Sequence, residues 1–399
     1  MIKSQFFFIN NSLLEIIYSL FKIPKKSESI KKLKKLVSSK NIILTNFGRT
    51  AFYFILKFLK KKKPLKKEVL VCSYNFFEVI NMIIYNNLKP VFYDLDKYSL
   101  NLSVKDLKKK INKNTLCIVV THFNGFNQNI LKIREIAKKK NIEIIEDCAI
   151  SLNSKNKVLV SKIGSFSFYS LNFTKNLSSI TGGIIKTNNS NFKALKDIIF
   201  RTNFSVFHNI KNFLALFLIK LISYKYIYNT FNFLLTSNEK PIRKIFDLNY
   251  KLQTKKKIPN YYLNNLSYNN YNILNYSIKK LPKENIIRIA NNLKYFRLLK
   301  RKKTITNLIP KRNLNLVTLE YPILFKSKKI KNLFITELKK NKLDIRKKYY
   351  TNCSEINIFK KFKKNKTPNS EKVEKNIICL PNHPAISKDM IKEYSRLIK

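Results

Sequence analysis

Between residues 41 and 187 the chain alternates between two spacings of apolar residues. Short continuous apolar runs occur at Ile42–Thr45, Val69–Cys72, Pro90–Asp94, Leu116–Thr121, Glu143–Glu146, Phe166–Tyr169 and Gly183–Lys186. Runs this short and this apolar read as strands buried on both faces. Between the earlier ones, Thr50–Lys60, Phe77–Asn86, Val104–Lys110 and Ile130–Lys140 show the amphipathic pattern of helices with one buried stripe. Strand and helix in alternation predict an α/β fold, a mostly parallel sheet covered by helices on both faces. Ligands on open sheets of this kind bind beyond the carboxyl ends of the strands.

Past residue 190 the pattern changes. Residues 190–250 are aromatic and rich in Leu and Ile without a clear period, and are expected to form an irregular helical excursion. Its most apolar run, Phe213–Ile219, stops at Lys220, too short to span a bilayer, and reads as a buried or interfacial helix. A helical pattern returns from Leu263 to Leu299, with Arg288 inside it. Beyond Pro310 a smaller α/β unit is expected, with a strand near Leu314–Leu319, a helix at Ile330–Lys340 and a last helix at Ser387–Ile398. The Lys/Asn-rich stretch Lys360–Asn369 reads as a mobile loop. The expected division is a large domain with its N-terminal segment and excursion over residues 1–250, then a linking helix and small C-terminal domain over residues 251–399. The opening stretch, Met1–Phe21, is apolar but broken by Asn10, Asn11 and Glu15 and lacks a small-residue cleavage site, so it does not read as a signal peptide.

Composition adds an unexpected marker. Only five of 399 residues are glycine, against an average usage of about 7%. Lys, Asn, Ile, Phe and Tyr dominate, as expected when codons drift toward A and T. Glycine then survives where the backbone needs positive φ or where a close approach leaves no room for a Cβ. The glycines fall in three short segments around the candidate chemistry: Gly48, Gly125, and Gly164, Gly182 and Gly183, which flank Lys175. A formal net charge of +57, from 80 basic and 23 acidic residues, would ordinarily point to nucleic acid or an anionic membrane. The lysines are spread along the whole chain rather than gathered into one arm, which reads as solvated faces with no specific nucleic-acid partner. Salt-sensitive polyanion binding would be a side effect. Cys72, Cys117, Cys148, Cys353 and Cys379 show no close pairs and no metal-ligand spacing with the histidines, which favours a reduced, cytoplasmic chain without structural zinc. His122 and His383 read as structural.

Four segments carry candidate chemistry. Phe47-Gly48-Arg49-Thr50-Ala51 joins a strand to a helix, so backbone N–H groups at Thr50 and Ala51 would point at an anion; an ordinary capped turn has the same pattern. Val71-Cys72-Ser73-Tyr74-Asn75-Phe76-Phe77 ends a strand in aromatics that could stack on a planar ring, or simply belong to the core. Ile144-Ile145-Glu146-Asp147-Cys148-Ala149 sets a carboxylate just past a buried strand, where it needs a cationic or hydrogen-bonding partner or serves as a helix cap. Ser170 to Ser179, followed by Ile180-Thr181-Gly182-Gly183, holds Lys175, the single basic residue between Lys162 and Lys186. A partly desolvated lysine there has a depressed pKa and can form a Schiff base.

Glycine turn, aromatic strand end, buried aspartate, then serine and lysine before a Gly-Gly strand: this order resembles the DegT/DnrJ/EryC1/StrS family of pyridoxal-phosphate sugar aminotransferases, of aspartate aminotransferase fold type I. The resemblance runs from about Ile42 to Thr187, including Pro90 to Asp96 and His122 to Gly125, and resumes at Lys342–Tyr350 and Ile377–Ser387. It implies that Lys175 holds pyridoxal 5'-phosphate and then acts as general acid and base, and that Asp147 pairs with the ring nitrogen. It further implies that Thr50, Ala51 and Ser170 bind the cofactor phosphate, and that Phe76, or else Tyr74, stacks on the ring. A homodimer is implied, with glutamate as amino donor and a nucleotide-linked keto-sugar as acceptor. Several positions depart from the family pattern. Ile150 stands where Gln or His is frequent near the phenolic oxygen, Thr181 replaces a frequent Glu, and Arg49 and Phe173-Thr174 are unusual. These departures leave open a degenerate member with a structural or regulatory role. Arg346, Lys347 and Lys348 are candidates to meet a diphosphate.

Overall fold

A computed structural model describes residues 9–23, 25–126, 128–152, 160–187, 192–199, 206–224, 227, 257–344 and 350–399. The strands are β1 (Ile42–Thr45), β2 (Glu68–Cys72), β3 (Tyr74–Asn75), β4 (Lys89–Tyr93), β5 (Thr115–Thr121), β6 (Glu143–Asp147), β7 (Phe166–Ser170), β8 (Gly183–Thr187), β9 (Ile305–Asn307), β10 (Glu320–Phe325), β11 (Thr351–Asn352) and β12 (Ile377–Pro381). The helices are α1 (Leu13–Phe21), α2 (Lys26–Leu36), α3 (Gly48–Lys62), α4 (Phe77–Tyr85), α5 (Val104–Lys110), α6 (Ile130–Lys139), α7 (Phe192–Ile199), α8 (Val206–Ile222), α9 (Tyr268–Leu299), α10 (Lys328–Lys340), α11 (Pro368–Asn376) and α12 (Lys388–Arg396).

All seven apolar runs between residues 41 and 187 are strands of one sheet, ordered β1-β8-β7-β6-β5-β2-β4. The pairs β4/β2, β2/β5, β5/β6 and β6/β7 are parallel, and β8 is antiparallel to both neighbours. Successive side chains on a strand point to opposite faces. Val69, Val71, Val119 and Ile145 accordingly pack beneath α3 and α4, while Leu70, Cys72, Ile118, Val120 and Ile144 join the core on the other face. Cover on both faces is why these runs are apolar without alternation. Serine caps start several helices: Ser12 on α1, in a reciprocal box with Glu15, Ser103 on α5, Ser327 on α10 and Ser387 on α12.

Two expectations in the C-terminal part need correction. Leu314–Leu319 is not a strand; the three-stranded sheet β12-β10-β9 begins its central strand at Glu320. Side-chain amides have captured the carbonyls a ladder would need: Asn292 Nδ2 donates to Leu316 O (2.8 Å) and Asn382 Nδ2 to Thr318 O (3.0 Å). Lys360–Asn369 is not a mobile loop either. Asn357–Phe362 is a 3₁₀ helix anchored by the buried Phe359, and Asn369 on α11 donates its N–H to Asp94 Oδ2 (3.0 Å) and its amide to Leu95 O (2.8 Å).

Within the excursion, Phe213–Ile219 lies on α8. Phe213, Leu216 and Ile219 are buried with Ile16 of α1, Ile180 and Ile273. Among the described residues no helix is long and apolar enough to cross a membrane. Arg346, Lys347 and Lys348 lie outside the described residues.

Candidate active site

The site forms at the carboxyl ends of β5, β6 and β7, beside the amino end of α3. Two glycines permit its closure. A Cβ on Gly48 would stand 2.9 Å from Ser170 Cβ and 3.0 Å from Ser170 Cα, and one on Gly183 would stand 2.3 Å from Phe47 O. Their absence lets the turn after β1 sit directly on the end of β7 and the start of β8. Ser170 is thereby brought against the first turn of α3. The N–H groups of Gly48, Arg49 and Thr50 precede the first intrahelical hydrogen bond and face that end of the helix. The Ala51 N–H donates to Phe47 O (3.0 Å), which closes the first turn. The Thr50 hydroxyl donates to Tyr262 O (2.8 Å), a carbonyl with which a bound phosphate would compete. Arg49 lies between two rings, 4.3 Å from Phe47 and 4.1 Å from Tyr262, so a fixed cation stands beside the turn.

Asp147 ends β6 and is buried. Its Oδ1 accepts the Ala149 N–H (3.0 Å). Burial pushes its carboxyl up to about 6 from 3.8, opposed by the Ala149 N–H, then by the charges of Lys175 and His122, and by the Thr121 hydroxyl. A carboxylate this desolvated fits a protonated ring nitrogen. Lys175 is also buried and couples electrostatically to Asp147. Its loop is pinned on both sides. Asn176 Nδ2 donates to Leu152 O (2.7 Å), while Ser179 Oγ and Thr181 N donate to Asn270 Oδ1 of α9 (2.8 Å each). An aspartate, a lysine and an anion-facing helix end that converge in this way suit a phosphorylated cationic ring such as pyridoxal phosphate.

The sequence pattern of the DegT/DnrJ/EryC1/StrS aminotransferase family matches residues 21–213 and 249–398. The chain belongs to this family. Among its relatives are the GDP-perosamine synthase of Escherichia coli O157:H7, 34% identical over 122 residues, and the Bacillus subtilis spore coat polysaccharide biosynthesis protein SpsC, 28% identical over 169. These matches take in 30% and 42% of this chain and only 34% and 43% of the two relatives. Solved structures extend the likeness to the whole fold. A GDP-4-keto-6-deoxymannose-3-dehydratase with a trapped PLP-glutamate geminal diamine superposes at TM-score 0.76 with 19% identity, covering 100% of both chains. Helicobacter pylori PseC, an aminotransferase of pseudoaminic acid biosynthesis, superposes at 0.75 with 16% identity, covering 99% of this chain and 97% of that one. The seven-stranded, mostly parallel sheet is thus the fold of the pyridoxal-phosphate aminotransferases.

Of the two aromatic candidates for this DegT/DnrJ/EryC1/StrS site, Tyr74 is committed to the core, buried against Phe123 (5.6 Å) and Tyr350 (5.8 Å). Phe76 is half-buried at the start of α4, its ring 4.9 Å from that of Phe77. Its neighbour Asn75 donates to Thr121 Oγ1 (3.1 Å), and Thr121 in turn bonds Asp147. Neither Asn75 nor Thr121 stands out in the sequence; their signal is a polar side chain at the carboxyl end of an otherwise apolar strand. Ile150 is buried, and the substituted Thr181 bonds Asn46 Oδ1 (2.9 Å).

Behind Asp147, on the opposite face of β6, Glu146 forms a buried pair with His122, the residue read from the sequence as structural. Consecutive acids at a strand end must face opposite ways, and that was the available signal. Glu146 accepts the N–H groups of Ser161 (2.6 Å), Ile163 (2.9 Å) and Gly164 (2.6 Å), together with His122 Nε2 (2.8 Å). His122 Nδ1 faces Phe126 O (3.1 Å), a group that only accepts. Burial alone would raise the Glu146 carboxyl; the His122 bond and charge and the backbone donors outweigh it and hold the carboxyl below its ordinary value. Cys148 brings a third ligand-type group within 4.8 Å, but burial pushes its thiol well up and Glu146 is saturated with donors. The cluster reads as a hydrogen-bonded brace rather than an ion cage.

Proposed function

We propose that this chain is a pyridoxal-phosphate-dependent aminotransferase. It would carry an amino group from an amino acid, glutamate, to a nucleotide-linked keto-sugar in the biosynthesis of cell-surface polysaccharide or lipopolysaccharide. The observation that carries this reading is the buried Asp147, coupled to the buried Lys175, beside a helix end closed onto Ser170. The relatives lend the substrate class, since the names GDP-perosamine synthase and GDP-4-keto-6-deoxymannose-3-dehydratase both refer to nucleotide-linked sugars.

Bound pyridoxal phosphate would supply an electron-accepting ring. Asp147 would hold the proton on the ring nitrogen, with Thr121 and the Ala149 N–H orienting its carboxylate. Lys175 Nζ would hold the cofactor through its aldehyde carbon and then serve as the base that takes the proton from Cα of the amino donor and the acid that returns it to that exocyclic carbon. Thr50, Ala51 and Ser170, with the N–H groups of Gly48, Arg49 and Thr50, would hold the phosphate. Phe76 would cover one face of the ring. Action as a homodimer in the cytoplasm, and a boundary between large and small domains near residue 250, belong to the same proposal.

Mixing purified protein with pyridoxal phosphate should give a visible absorbance band that borohydride removes. Lys175→Ala should abolish the band, and its persistence would refute the assignment. A panel of nucleotide keto-sugars with glutamate as donor then identifies the acceptor. The apolar Ile150 favours a second reading, a family member whose role is structural or regulatory; protein that forms the band yet turns over no sugar in the panel would select it.

A further inference from the structure

Among the described residues, most of the exposed large apolar side chains lie on or beside α1 and α8. Both helices bury one face in the same apolar cluster, through Ile16 of α1 and Phe213, Leu216 and Ile219 of α8. Lys220 of α8 also donates to Ile9 O (3.0 Å), just ahead of α1. Each helix then turns a second apolar stripe outward. On α1 it is Leu14, Ile17, Tyr18 and Phe21, at the spacing of one helical face, and on α8 it is Phe207, Ile210, Leu214 and Leu218. Phe21 and Phe207 are each 78% exposed. Single exposed apolar residues are ordinary, but two adjacent helical stripes mark an interaction surface.

Charge indicates what covers it. Lys22, Lys25 and Lys26 are exposed just past α1, and Lys211 is exposed on α8. Helix α8 contains no acidic residue, and the single acid of α1, Glu15, is engaged by Lys280 (2.5 Å) and the Ser12 N–H (2.9 Å). A second copy of this chain meeting the face about a two-fold axis would set lysines against lysines, in a chain of net charge +57. An anionic lipid surface complements both features at once. Among the described residues no helix is long and apolar enough to span; the 17 residues of α8 cover about 25 Å against a hydrocarbon core of about 30 Å.

We propose that α1 and α8 form a membrane-docking face, lying in the interface of an anionic bilayer with their outward stripes among the acyl chains and the lysines at the headgroups. Apolar insertion alone or charge alone gives marginal binding, and the two together anchor. The proposal is independent of the chemistry assigned to the active site.

Full-length protein should co-sediment with vesicles of equal parts phosphatidylcholine and phosphatidylglycerol, and not with phosphatidylcholine alone. Leu214→Asn combined with Leu218→Asn, both at exposed positions, should lower the bound fraction about tenfold while leaving the circular-dichroism melt unchanged. The chain contains no tryptophan, so Leu214→Trp provides a single reporter whose emission should shift to the blue on adding the anionic vesicles. Three results would overturn the proposal. They are an unshifted emission, binding that survives the double substitution and vanishes in salt, and a double substitution that dissociates an oligomer without changing vesicle binding. The last would mean that a second copy covers this face.

Discussion

Asp147 should act against the stability of the protein that it equips. Its carboxyl is buried, and the rise from 3.8 to about 6 corresponds to about 3 kcal/mol. The sign follows from proton counting. Between these two values the folded protein binds more protons at this site than the unfolded chain, so stability falls as pH rises through that window. The full cost is present above it. In protein stripped of pyridoxal phosphate, Asp147→Asn removes the charge and keeps an oxygen for the Ala149 N–H. It should stabilise by about 1–3 kcal/mol near neutral pH, the lower figure allowing for an imperfectly paired amide. Urea unfolding of wild type and variant at about pH 7.5 and about pH 5 is the assay. About half of the advantage should disappear at the lower pH, where the wild-type carboxyl is largely protonated in the folded state. The same variant should lose the visible cofactor band. A stability difference that is constant with pH, or a variant less stable at both values, would refute the claim that desolvation dominates at this carboxylate.

Two further substitutions test the frame around it. Gly48→Ala forces a Cβ to 2.9 Å from Ser170 Cβ and 3.1 Å from Tyr169 O; it should cost about 1–3 kcal/mol of stability and weaken pyridoxal phosphate in a spectral titration, and unchanged affinity would separate this turn from the phosphate. His122→Ala removes one donor from the buried Glu146 carboxylate, at a cost of about 1–3 kcal/mol in urea unfolding, whereas His122→Gln, which can still donate, should recover part of it. A loss below about 0.5 kcal/mol for the alanine variant would show that the His122 bond does not brace this carboxylate.

The sheet, its helices and the order of the site segments were legible in the sequence because they rest on local patterns. Two-sided burial makes strands such as Thr115–Thr121 apolar at nearly every position, and one-sided burial gives α6 its stripe. A glycine-poor composition also kept Gly48 and Gly183 where Ser170 and Phe47 leave no room for a Cβ. Tertiary structure alone decided which polar groups were still available. Helix α3 closes its first turn with the Ala51 N–H, and the Tyr74 ring lies beside those of Phe123 and Tyr350. Leu314–Leu319 lost its place as a strand to the amide of Asn382, which reaches Thr318 across 64 residues of chain. Periodicity records whether a side chain is buried; it carries no record of a partner so distant in sequence. The outward faces of α1 and α8 show the same limit. Their apolar residues imply burial, and the fold buries only one face of each helix, turning the other toward solvent with lysines around it.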